Sequence, residues 1–223
     1  MRRYDPALPL FSLHVPKCGG QSLRRILEQW FGDLFRVHYF QQYNALPPRH
    51  EVRAGMCIHG HFNHTRGFGV KTYYPAASQF ITVLRDPLEA AVSNYFFWKK
   101  RHPGADRGGG EDAYRDIDDF FRKRPQSHLE NFLPEDMNEA NFRDYLQSRF
   151  VWVGIVDDLQ RDVGVLTQRL GFHDTVLEHI NQSPRDENLS ADLAAEFRES
   201  NRWLFELVDF ARTFNSAGKT QSA

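Results

Sequence analysis

Apolar positions fall into short blocks of two kinds. Leu10–Val15 (LFSLHV) is a compact apolar run closed by Pro16, the pattern of a buried strand. After the turn Pro16-Lys17-Cys18-Gly19-Gly20, the residues Leu23, Ile26, Leu27, Trp30 and Phe31 recur at helical spacing, and Gly32 ends the helix they predict. Further strands are expected at Phe35–Tyr39, Met56–His59, Gln79–Leu84 and Phe150–Val153. Helices are expected from Pro87 to about Lys100, over Arg115–Arg124 and Glu139–Gln147, and along Leu159, Val163, Leu166 and Leu170 to Gly171. Leu193, Phe197, Leu204, Val208 and Ala211 predict one long C-terminal helix. His102–Asp112 (HPGADRGGGED) reads as a loop and Asn215–Ala223 as a flexible polar tail. Alternating strands and helices predict an α/β three-layer sandwich, with a mainly parallel central sheet flanked by helices on both faces. No repeat or linker divides the chain, so residues 1–214 are expected to form a single domain.

Composition narrows the partners. With 28 Lys+Arg against 29 Asp+Glu, bulk charge does not suit a protein that grips nucleic acid. Cys18 and Cys57 are too few for a disulfide framework or a four-thiolate zinc site, which fits a reducing compartment. No apolar run approaches the ~18–20 residues of a membrane span, and Met1–Val15 lacks a secretory pattern. A cytoplasmic protein with no integral membrane segment is therefore expected. The sequence does not reveal its oligomeric state.

Two glycines between a strand and a helix let a ligand approach the backbone at the positive helix end, a cradle for phosphate or sulfate. Lys17 adds a charge and Ser22 a hydroxyl. The lysine precedes the glycines, so this is not the Walker order, and a plain tight turn is the alternative. Arg85-Asp86-Pro87 stands at a strand end, with Ser93 about two turns into the next helix, so both can reach one phosphate. An ion pair with a helix-start proline explains the same residues.

Phe11–Leu23 (FSLHVPKCGGQSL) resembles the 5′-phosphosulfate loop of sulfotransferases that use PAPS, 3′-phosphoadenosine-5′-phosphosulfate. Ile81–Tyr95 (ITVLRDPLEAAVSNY) resembles the 3′-phosphate motif of the same family. The nearest subgroup is the carbohydrate sulfotransferases of the heparan sulfate 2-O-sulfotransferase type, and the resemblance spans Phe11 to about Phe214. It implies a P-loop-like fold, PAPS as sulfuryl donor, PAP as desulfated product, and no metal. Lys17, Cys18, Gly19, Gly20, Gln21, Ser22 and Leu23 would hold the 5′ end, and Arg85 and Ser93 the 3′-phosphate. His179–Arg185 (HINQSPR) resembles a late loop of the family, where Asn181 and Ser183 would help hold the nucleotide; a helix-capping loop explains it too. Gln21 replaces the threonine of many relatives, and Ala90 a basic residue.

Ile58–His64 (IHGHFNH) has three readings. His59-Gly60-His61 is similar to the subgroup's H-G-H, which implies His61 as the base that deprotonates a hydroxyl acceptor, such as a carbohydrate, with His59 in support. His59, His61 and His64 also approach the H-x-H-x-D-H of zinc hydrolases, with Asn63 where that pattern has a carboxylate. Packing at a strand end is the third reading. Cys18 and Arg24 satisfy the C-x5-R of cysteine phosphatases, although Arg24 lies off the buried helix face. Lys99-Lys100-Arg101 either borders an acceptor cleft or is a solvated helix end, and Phe96, Phe97 and Trp98 either stack on an acceptor or belong to the core. A PAPS- or PAP-binding protein without catalysis, and a kinase, remain the other classes.

Overall fold

The computed structural model describes residues 2–40, 45–103, 113–173 and 185–216. Five strands, β1 (Leu10–Leu13), β2 (Phe35–His38), β3 (Cys57–Gly60), β4 (Phe80–Leu84) and β5 (Phe150–Ile155), form one sheet of order β2-β3-β1-β4-β5. Every pairing is parallel, with Leu13 opposite both Gly60 and Thr82. Both faces of β1, β3, β4 and β5 are covered, so these strands are buried throughout rather than alternating, while the edge strand β2 exposes Arg36. The α/β sandwich expected from the sequence is the fold observed.

Eight helices occur among the described residues. They are α1 (Gly20–Phe31), α2 (Val70–Tyr73), α3 (Pro87–Arg101), α4 (Ile117–Lys123), α5 (Phe142–Arg149), α6 (Leu159–Leu170), α7 (Ala191–Ser200) and α8 (Arg202–Ser216). Leu23, Ile26 and Leu27 of α1 and Val163 and Leu166 of α6 pack with Ile81, Val83 and Val151 on one face of the sheet. Phe142 and Leu146 of α5 and Leu204, Leu207 and Val208 of α8 pack with Phe11, Leu13, Phe80 and Val153 on the other. A third cluster joins α3, α4 and α7 through Tyr95, Phe96, Phe120, Phe121 and Phe197.

The single long C-terminal helix is a misreading. Asn201 breaks it into α7 and α8 at φ −122°, ψ 22°. Its buried amide donates to the carbonyls of Pro125 (2.9 Å) and Phe197 (2.7 Å), and its Oδ1 accepts from Ser127 N–H (2.7 Å). These bonds tie the break to a loop distant in sequence, which helical periodicity does not register. Helix α5 begins at Phe142 rather than Glu139, because Asn138 and Asn141 hold a turn there. The short helix α2 had no signal in the pattern. Helix α8 runs through Ser216, one residue past the start of the expected tail; residues 217–223 and most of the expected loop, 104–112, lie outside the described residues.

Strand β1 sits mid-sheet. Its own connection leads toward β2, and the connection from β3 crosses to β4 on the other side. The carboxyl ends of β1 and β4 therefore flank a topological switch point, where open parallel sheets hold ligands.

Candidate functional site

The loop leaving β1 carries Lys17, the one described non-glycine residue in the left-handed region (φ 68°), and Gly19 (φ 73°) caps α1. At Gly20 a Cβ would come within 2.0 Å of the His14 ring, so glycine is required there by close approach. Helix α1 has no side-chain cap and no acid in its first turn, whereas Asp86 caps α3 and Asp116 caps α4. The N–H groups of the first turn of α1, from Gly20, Gln21 and Ser22, thus follow Lys17 with no acidic side chain in that turn. Ser22 N–H also reaches back to the Gly19 carbonyl (3.2 Å). The Leu23 side chain belongs to the core, so only its backbone can serve a ligand.

Lys17 is half-buried and its pKa is lowered, first by burial and then by Arg85 and Lys100. Lys17, past the end of β1, thus feels two further cations, Arg85 just after β4 and Lys100 on α3. Lys17 Nζ rests 4.3 Å from the centre of the Phe97 ring, which is 40% exposed and also receives Arg101 at 5.4 Å. Ser93 lies one turn before Phe97 on the same side of α3. Arg85 Nη2 contacts Glu89 at 3.3 Å, and Glu89 also accepts from Arg185 at 2.8 Å. The buried Arg85 Nε has no partner among the described residues. Asn181 and Ser183 lie outside the described residues.

Cys18 is buried in the core cluster, and burial pushes its thiol up to about 12 although Arg85 and Lys17 pull the other way. Arg24 stacks on Tyr39 at 5.7 Å. A thiol held protonated, with its arginine placed elsewhere, rules against the phosphatase reading.

The histidines form a second group at the ends of β1 and β3. His59 is fully buried and shares a 2.8 Å hydrogen bond with Ser12, while its Nε2 has no partner among the described residues. His61 is partly exposed, and its buried Nε2 is likewise unpartnered. His14, to which the sequence reading gave no role, stacks on His59 at 5.2 Å, meets His61 at 4.6 Å and shares a 2.5 Å hydrogen bond with Tyr39. The signal was present: Leu13 pairs with Gly60, so the next residues on each strand are His14 and His61. Burial lowers His61 to about 4 and His14 to about 3, so both rings are neutral near pH 7.

The zinc reading fails on geometry. His64 Nε2–H donates to the Glu130 carbonyl at 3.0 Å, away from His59 and its Ser12 bond. The Asn63 carboxamide accepts from Thr65 Oγ1–H (2.8 Å) and Arg66 N–H (3.0 Å) and so caps a turn. Among the described residues, no group of three or more His, Cys, Asp or Glu side chains is placed to hold a metal ion.

No protein-family model matches the chain, and no curated protein does. Among solved structures, the mouse sulfotransferase SULT7A1 complexed with PAP is similar to it, at 13% identity and a TM-score of 0.49. The likeness covers 87% of this chain and 63% of the mouse protein, so the chain spans less than two thirds of that structure. What the chain does is read from its own site residues. His128, also unremarked in the sequence, enters that site by donating from Nε2 to the Pro16 carbonyl at 3.1 Å. No helix among the described residues is long and apolar enough to cross a membrane.

Proposed function

We propose that this chain is a sulfotransferase that moves the sulfuryl group of PAPS to a hydroxyl acceptor, a carbohydrate by the likeness of its His59-Gly60-His61. One observation carries the reading: Lys17 stands in a left-handed turn at the switch point beside the uncapped helix α1, with Arg85 and Lys100 among the charges that act on it and, among the described residues, no carboxylate. Lys17 has no such acidic partner, while Arg85 is held by Glu89, so a multiply charged anion gains Lys17 outright and Arg85 by exchange with that carboxylate. Lys17 and the first N–H groups of α1 take the 5′ end of the donor, and Arg85 with Ser93 takes the 3′-phosphate. His61 fits the base better than His59, because its residue is partly exposed whereas His59 is fully buried and tied to Ser12. It removes the hydroxyl proton; the oxygen bonds to sulfur as the bond from sulfur to the bridging oxygen breaks. PAP leaves with that electron pair, and Lys17 donates to it as its charge grows. A cavity of about 310 Å³ lined by Phe97, Trp98, Arg101 and Tyr114 opens on α3 and offers ring faces to an acceptor.

Calorimetric titration with PAP, with ATP as control and zinc analysis of the same sample, tests the reading. Tight PAP binding with weak ATP binding supports it, and label transfer from PAPS to an acceptor then distinguishes an enzyme from a binding protein. Absence of PAP binding, or stoichiometric zinc, overturns it.

A further inference from the structure

The left-handed backbone at Lys17 is disfavoured for any residue with a Cβ, so neighbouring structure must hold it. The peptide between Pro16 and Lys17 turns about the bond that defines this φ, and its carbonyl oxygen accepts the Nε2–H of His128 at 3.1 Å. A carbonyl only accepts, so the proton sits on Nε2. His128 is itself fixed: Ser127 N–H donates to the buried Asn201 side chain, and Leu129 is fully buried in the core. We propose that His128 is the positioning residue for Lys17, its Nε2–H locking the Pro16 carbonyl and thereby aiming the lysine across the loop. The residue type suits the task. Burial and the nearby Lys17 both lower the His128 pKa, so it donates a hydrogen bond while neutral, where an arginine or lysine would add to the repulsion.

This inference deepens the reading of the loop as a 5′-phosphosulfate cradle and rests on it for its ligand test. His128→Leu removes the donor, whereas His128→Gln keeps an N–H at similar reach. PAP and adenosine 3′-phosphate, which lacks the 5′ group that Lys17 addresses, are titrated into the wild type and both variants. His128→Leu is expected to weaken PAP roughly tenfold while leaving adenosine 3′-phosphate unchanged, and His128→Gln to restore most of the loss. Equal weakening of both nucleotides, or unaltered PAP affinity in His128→Leu, overturns the proposal. A ligand-free measurement stands beside it. The urea midpoint should fall less on His128→Leu in a Lys17→Gly background than in the wild type, because glycine adopts this φ unaided. Equal falls overturn the holding role. If the wild type binds neither nucleotide, the cradle reading fails, and the paired midpoints still decide the role of His128.

Discussion

A lysine beside a phosphate loop is effective only if nothing inside the protein neutralises it. Among the described residues no carboxylate acts on Lys17, which has Arg85 and Lys100 for cationic neighbours and an aromatic ring under its ammonium group. Lys17→Ala should lower turnover by roughly 10²–10³, as loss of one transition-state donor does, and His61→Ala by roughly 10²–10⁴. Steady-state transfer from PAPS checks both, and a folded Lys17→Ala protein with undiminished turnover would refute the assignment. The places of Lys17 and Arg85 at strand ends, and of Ser93 on the helix that follows, were legible from spacing. The places of Lys100, His14 and His128 were not. They depend on how α3 leans over the β1 loop, on strand register, and on a loop arriving from α4.

At the level of elements, β1, β4 and β5 were legible as apolar runs, since a strand covered on both faces leaves an unbroken signature, whereas β2 and β3, with Arg36 and His59, gave weaker ones. The C-terminal break escaped because Asn201 acts through bonds to residues 125 and 127, while the flanking positions keep helical spacing. Asn201→Ala leaves the buried Ser127 N–H without an acceptor and should destabilise the fold by about 1–3 kcal/mol. Urea unfolding measures this. The zinc pattern was misleading for a local reason, since the Asn63 turn redirects His64 within a single residue.

For the whole molecule, a buried basic cluster sets the acid limit. Burial holds His38 and His61 near 4, His14 near 3 and His59 well below its usual value, and among the described residues their charged neighbours include Arg24 but no carboxylate. In the unfolded chain these rings titrate near about 6.5. Below that pH the unfolded state binds protons that the native state refuses, so stability falls as pH falls. Each ring contributes up to ~1.4 kcal/mol per pH unit, levelling off below its native value. Urea midpoints between about pH 7.5 and pH 5 should show this slope, and His61→Phe should make it shallower.

Glu89 gives the site a further property. Its carboxylate bridges Arg85 and Arg185, so the second cationic arm of the cradle we propose already has a tenant. An arriving phosphate must evict a singly charged group before it gains the arginines, and its net affinity is the difference between the two. A dianion wins that exchange by a wider margin than a monoanion. The pair of arginines is thus set to ignore weakly charged solutes, with the discrimination made by an internal rival rather than by the shape of the walls.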